Sequence, residues 1–248
     1  MPAQPAPSTR LRFYASLAVT GVIFLCLDIG AFVLRRLMPD GPRRRQAGRR
    51  WLHGMSRLAV RYLHAAGILD CDLHALDSLR GEGPIILVAN HPSRLDSLIL
   101  AAALPHLSCV TKASIWDRAI LGSTLRTAGY VRHDTLLRVL GPATTQLHEG
   151  CQLLLFPEGT RSRAGTAPSP LQPGFAALAQ RTRLPVQVVL IETTNPYLSQ
   201  GWRFYRLPPL PMRYSLRLGP RFDAPRRDEA SGRALVDTVE EWLKNALP

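Results

Sequence analysis

Apolar positions follow two patterns in the first quarter of the chain. From Phe13 to Leu34 the sequence is almost continuously apolar, with one acid, Asp28, and no base. At about 1.5 Å per residue this run reaches roughly 33 Å, enough for the hydrocarbon core of a bilayer. From Gln46 to Ala66 the apolar residues Trp51, Met55, Leu58, Tyr62 and Ala66 recur at helical spacing among Arg49, Arg50, Arg57 and Arg61, which predicts a basic amphipathic helix. Beyond Gly67, short apolar runs near residues 84–89, 107–112, 129–132, 151–156, 186–192 and 212–218 alternate with helix-like stretches. This alternation predicts an α/β fold, a central mostly parallel or mixed sheet covered by helices. A last helix over residues 225–247 carries Leu235, Val239, Trp242 and Leu243 as its apolar stripe. The expected organisation is a disordered Pro-rich tip (1–9), membrane-anchoring helices (10–66, with the apolar run 13–34 and the amphipathic run 46–66) and one folded domain (67–248).

Charge sharpens the anchoring assignment. The chain has 31 Lys and Arg against 18 Asp and Glu, a net charge of +13, which calls for a polyanionic partner. Arg10 and Arg12 precede the apolar run, whereas Arg35, Arg36, Arg43, Arg44, Arg45, Arg49 and Arg50 follow it. The denser cluster on the domain side places the domain in the cytoplasm, on the inner membrane of a bacterial-type cell. A carboxylate at the depth of Asp28 costs a few kcal/mol, so a helix lying on the membrane stands as the alternative to a span. Arg35-Arg36 follows the run where a signal peptide would have small residues. Nucleic acid is excluded as the partner, because the domain shows no stacking motif, zinc spacing or basic helix. Cys26, Cys71, Cys109 and Cys151 have no Cys-x2-Cys spacing and apolar neighbours, so four buried thiols and no metal are expected.

Two segments carry chemistry. Pro84 to Ala89 ends at Asn90-His91, within Asn90-His91-Pro92-Ser93-Arg94-Leu95-Asp96, and Cys151 to Phe156 ends at Pro157-Glu158, within Phe156-Pro157-Glu158-Gly159-Thr160-Arg161-Ser162. Both stand where an α/β sheet presents functional groups, at strand ends. A neutral His91 imidazole can take a proton, and Asp96 can fix its tautomer and stabilise the imidazolium. Glu158 and Arg161 offer an acceptor and a planar donor fork on a turn that Gly159 loosens, with Thr160 and Ser162 as loop hydrogen-bonders. No Gly-x-Ser-x-Gly elbow is present, which favours direct transfer over a covalent acyl-enzyme.

The His-x4-Asp and Phe-Pro-Glu-Gly-Thr-Arg-Ser blocks resemble those of the glycerolipid acyltransferases typified by lysophosphatidic acid acyltransferase. That resemblance implies transfer of a fatty acyl group from acyl-CoA or acyl carrier protein to the free hydroxyl of 1-acyl-sn-glycerol 3-phosphate, giving phosphatidic acid. It implies no cofactor, and membrane lipids as partners. His91 and Asp96 take the catalytic positions, and Glu158, Gly159, Thr160 and Arg161 those of acceptor binding. Lys112 matches a lysine the family often carries, and Arg132 falls near a block that reads Gly-x-x-x-Val-Asp-Arg in many relatives. Here the order is Arg132-His133-Asp134, and Leu171-Gln172-Pro173-Gly174 replaces a Phe-Lys-x-Gly block. These departures remove a positive charge and leave room for another acceptor, a lyso-ornithine lipid or a secondary-metabolite lipid. The reading from a different class is a non-catalytic membrane adaptor on the same scaffold. Oligomeric state and chain length of the acyl group are not set by the sequence.

Overall fold

The structure, a computed structural model, describes residues 6–118, 120–161 and 169–247. Among these residues seven strands, β1 (Leu69–Cys71), β2 (Ile85–Ala89), β3 (Leu107–Lys112), β4 (Val131–His133), β5 (Gln152–Leu155), β6 (Val186–Glu192) and β7 (Met212–Phe222), form one sheet. The helices are α1 (Pro7–Leu37), α2 (Pro42–Ala65), α3 (Leu95–Ala103), α4 (Ala113–Trp116), α5 (Gly122–Thr127), α6 (Leu136–His148), α7 (Gly174–Thr182) and α8 (Glu229–Ala246). Strand order is β1-β7-β6-β2-β5-β3-β4. The five strands β6, β2, β5, β3 and β4 run parallel, and β7 pairs antiparallel to β6, so the sheet is mixed.

Parallel strands need helices on both faces, which is why β2 is apolar and buried at every position. Its side chains alternate between two cores. Ile85, Leu87 and Ala89 pack with residues of α1, α2 and α3, including Phe13, Leu52 and Ile99. Ile86 and Val88 pack with Val139 of α6, Phe175 of α7 and Val239 of α8. The chain leaves β2 over β5 to reach β3, and leaves β5 over β2 to reach β6. Those opposite exits make a topological switch point at the carboxyl ends of β2 and β5, where open α/β sheets have their ligand crevice.

Helix α1 begins at Pro7, inside the stretch expected to be a disordered tip; residues 1–5 lie outside those described. It is long and apolar enough to cross a membrane. One stripe, Phe13, Ser16, Ile23, Leu27 and Ala31, is buried against the domain. The outward stripe, Val22, Leu25, Ile29, Phe32 and Val33, is exposed. Both ends touch the domain: the Phe13 and Tyr197 rings meet edge to face at 5.8 Å, and Arg35 Nη1 donates to Ser123 Oγ at 3.4 Å. Midway, the Trp51 indole of α2 donates to Leu27 O at 2.9 Å across Gly30. A Cβ on Gly30 would stand 2.4 Å from that indole, so this crossing requires glycine.

The four cysteines are free, as expected, but not all buried. Cys109 and Cys151 are in the core, whereas Cys71 is half-buried and Cys26 lies on the exposed side of α1. Burial is the main cause that pushes the Cys109 and Cys151 thiols up to about 12, which keeps them protonated.

Candidate active site

The crevice at β2 and β5 brings the two sequence blocks together. Asn90, the first residue past β2, is clamped to β6: its Nδ2 donates to Ile191 O at 2.7 Å and its Oδ1 accepts from Ile191 N at 2.8 Å. This pins the backbone just before His91. The His91 N–H then donates to Glu158 Oε1 at 3.0 Å, tying the end of β2 to the turn after β5. His91 Nδ1 and Asp96 Oδ2 are 2.9 Å apart, and the Ser93 N–H donates to the same oxygen at 2.8 Å. Asp96 sits in the first turn of α3, where an acid is favoured by the helix dipole.

Burial divides the roles. Asp96 is fully enclosed, while the His91 side chain keeps 18% of its surface exposed. With Asp96 holding a proton on Nδ1, the tautomer leaves Nε2 as the basic nitrogen. Phe156 stacks on the imidazole at 4.0 Å between centroids and fixes the ring plane. Loss of solvent pushes the Asp96 carboxyl above the ordinary range, and the His91 hydrogen bond and charge pull it back down. Asp96 Oδ1 meets no hydrogen-bond donor among the described residues.

Glu158 is buried, and Gly159 has φ of +65°, a left-handed turn that glycine makes without strain. Arg161 engages one nitrogen of its fork within the protein. Its Nη1 donates to Leu198 O and Ser199 O, each at 2.7 Å, in the connection between β6 and β7. Burial holds its guanidinium below the usual arginine range, reinforced by the charge of Arg94. The same connection is gripped from the other side, where Ser93 Oγ donates to Tyr197 O at 2.8 Å and Arg94 N to Leu198 O at 3.3 Å. Thr160 is half-buried beside Gly159, and Ser162 lies outside the described residues.

Lys112 and Arg132 stand apart from the histidine. β3 is two strands from β2 and β4 three, about 10 and 14 Å away at the usual strand spacing. Lys112 is exposed at the end of β3. Arg132 is engaged by Asp117 at 2.9 Å and by Asp134, so its charge is already balanced. The apolar run of α3 belongs to the core: Ile99, Leu100, Ala101, Ala102 and Ala103 are all buried. Phe156, Ser93 and Asn90 are the positioning residues that sequence reasoning left without these roles. Their only signal was adjacency to His91 or Glu158.

A buried carboxylate thus contacts a half-open imidazole at the carboxyl ends of the central strands of an α/β sheet. The acyltransferase family model matches residues 70–192, a span that contains every residue of this site except those of the β6–β7 connection. The 1-acyl-sn-glycerol-3-phosphate acyltransferase of Helicobacter pylori is 28% identical over 131 residues, 50% of this chain and 55% of that protein. A putative enzyme of the same description from Caenorhabditis elegans is 26% identical over 141 residues, 54% of this chain and 50% of that protein. The chain thus spans about half the length of these curated relatives. The crystal structure of the 1-acyl-sn-glycerophosphate (LPA) acyltransferase of Thermotoga maritima superposes with a TM-score of 0.66 at 22% identity, over 96% of this chain and 94% of that one. That likeness establishes the fold. The chain belongs to the acyltransferase family.

Proposed function

We propose that this protein is a membrane-bound O-acyltransferase that moves a fatty acyl group from acyl-CoA or acyl carrier protein to the hydroxyl of a lysophospholipid, with 1-acyl-sn-glycerol 3-phosphate as leading acceptor and phosphatidic acid as product. The observation that carries it is the His91–Asp96 contact at 2.9 Å, tied to Glu158 at the neighbouring strand end. His91 Nε2 takes the acceptor hydroxyl proton as the oxygen attacks the thioester carbonyl. Asp96 stabilises the imidazolium that forms. The tetrahedral intermediate collapses, the C–S bond breaks, and the imidazolium returns the proton to the departing thiolate. No covalent acyl-enzyme is required.

The relatives named for 1-acyl-sn-glycerol 3-phosphate support that acceptor. A second reading keeps the chemistry and changes the acceptor to a lyso-ornithine lipid or another lipid without a phosphomonoester. It is favoured by Arg132 and Arg161, both already partnered within the protein. Phosphate recognition relies on charge-assisted donors of that kind.

The two ends of α1 both contact one domain, which favours a helix lying in one leaflet over a span. Its outward apolar stripe then faces acyl chains, with the domain on the cytoplasmic side of the inner membrane. Asp28 supports this reading, because its carboxylate accepts from Leu121 N and Thr124 Oγ1, each at 2.6 Å, rather than facing lipid.

Membranes bearing wild-type or His91→Ala protein, offered each donor with each acceptor, test the proposal by mass spectrometry of the products. Phosphatidic acid made only by wild type supports the leading acceptor. Acylation of lyso-ornithine lipid alone moves the acceptor and keeps the mechanism. Product made equally by His91→Ala protein removes the assigned mechanism, and no product with any pair favours an unlisted acceptor or the adaptor reading.

A further inference from the structure

A second cavity, of about 360 Å³, is lined by Arg35, Asp40, Arg44, Arg45, Trp116 and Arg126 over a floor that includes Gly129 and Tyr130. It sits where α1 ends and α2 begins, against α5 and the start of β4. None of the residues assigned to acyl transfer lines it. Four arginines face one acid across this space.

Three of the arginines are held in place by neighbouring groups. Arg45 makes a bidentate contact with Glu149, with Nε at 3.0 Å from Oε2 and Nη2 at 2.5 Å from Oε1. Its stem passes over Gly129, where a Cβ would stand 2.7 Å from Cδ of Arg45. Arg126 Nη1 donates to Trp116 O at 2.7 Å. Arg44 reaches Asp40 at 2.6 Å and Met38 O at 3.3 Å, while its buried Nε has no partner among the described residues. Asp40 also contacts Arg45 at 3.1 Å and is largely exposed, so one carboxylate is shared by two guanidiniums. Counting Glu149 as well, four cations meet two anions.

Position adds to charge. α1 ends in Arg35 and Arg36, directly after its outward apolar stripe. A helix with that stripe among acyl chains puts its basic end, and this cavity, at the level of the phosphate groups. Trp116 at the rim is the residue type that settles at that level.

We propose that this cavity binds the phosphate of an anionic membrane phospholipid, as a site separate from the acyl-transfer centre. The ligand chemistry is a phosphate oxyanion taking charge-assisted donors from Arg35, Arg44 and Arg126, with the lipid rather than free phosphate as its source. The inference rests on the reading of α1 as a helix lying in one leaflet.

The test uses the full chain in neutral detergent, titrated with micelles carrying phosphatidylglycerol or phosphatidylcholine and, separately, with inorganic phosphate. Binding is read by thermal shift and tryptophan fluorescence. Arg35→Gln/Arg44→Gln is compared with Arg226→Gln/Arg233→Gln, which removes equal charge beside and on α8. The cavity pair is expected to weaken phosphatidylglycerol binding by about tenfold or more, from the usual contribution of two basic residues to anionic-lipid binding, and the control pair by about twofold or less. Equal losses in both pairs overturn the site in favour of diffuse attraction. Indifference of wild type to lipid charge, or inorganic phosphate binding as tightly as the lipid, overturns the lipid assignment. Micelles present the head group without requiring α1 to enter a bilayer. Failure here is therefore distinguishable from failure of vesicle binding, which would sink the leaflet reading itself.

Discussion

In the proposed mechanism a single proton position at His91 decides the chemistry, so substitutions there separate catalysis from folding. His91→Ala is expected to lower the acyl-transfer rate by about 100-fold to 10,000-fold, the usual reach of a general base, with an unchanged circular dichroism spectrum. Asp96 sends a sharper signal. Its carboxyl is raised by burial, so the folded state holds that proton more tightly than the unfolded chain does. Ionising it therefore costs the fold nothing below the unfolded value of about 3.9 and progressively more as pH rises through the folded value. Asp96→Asn keeps an oxygen for His91 Nδ1 and Ser93 N while removing the buried charge. Its Tm at pH 7 should match or exceed that of wild type, its advantage should vanish towards pH 4, and its activity should fall on the order of 100-fold or more through loss of imidazolium stabilisation. A variant much less stable than wild type at pH 7 would contradict this account. Glu158 differs, because its carboxylate accepts from the backbone N–H of His91. Glu158→Ala should cost about 1–3 kcal/mol in urea denaturation by orphaning that donor, and Glu158→Gln, which keeps an acceptor oxygen, far less.

Between elements, the contact that matters most is the one α1 makes with α5 and α2. Asp28 caps the start of α5 by accepting from Leu121 N, although it belongs to another helix 93 residues away in sequence. Asp28→Ala is expected to destabilise by about 0.5–2 kcal/mol, the range for a lost N-cap, with Asp28→Asn retaining most of it in thermal melts. The sequence showed Asp28 only as an acid inside an apolar run, because nothing local reveals a partner so distant. The central strands were legible because burial on both faces demands continuous apolar runs: the expected 186–192 and 107–112 coincide with β6 and β3. β1 was not, since three residues with Asp70 in the middle carry no period. The antiparallel sense of β7 was equally silent, as strand direction is a property of the connection and not of side-chain alternation. His91, Asp96 and Glu158 were legible as a site because strand ends place them together. Arg161 was read as a donor fork for ligand, and its bonds to Leu198 O and Ser199 O could not be seen from residues 37 and 38 positions earlier.

Over the whole molecule, the net charge of +13 and the outward stripe of α1 would act on the proposed membrane partner by different physics. Arginine attraction to an anionic surface is screened by salt, with a Debye length of about 3 Å at 1 M, whereas burial of an apolar stripe is not. Wild-type protein should therefore remain on phosphatidylglycerol vesicles in 1 M salt during flotation. Val22 and Ile29, 59% and 55% exposed, are the positions at which to break the stripe, because neither supports the core. A lysine at helix centre costs about 2.5–3.5 kcal/mol on insertion scales, less at the interface where the chain can snorkel. Val22→Lys/Ile29→Lys should then bind vesicles at low salt through its arginines and leave them at high salt, while melting like wild type in detergent. A pair that still floats in high salt would mean that α1 is not what holds the protein to the bilayer. A pair that also fails at low salt would mean that the basic residues attract the membrane only after the stripe has entered it. The middle outcome is the one expected of a helix fastened to its domain by Phe13, Asp28 and Arg35, which can leave the bilayer without unfolding what it carries.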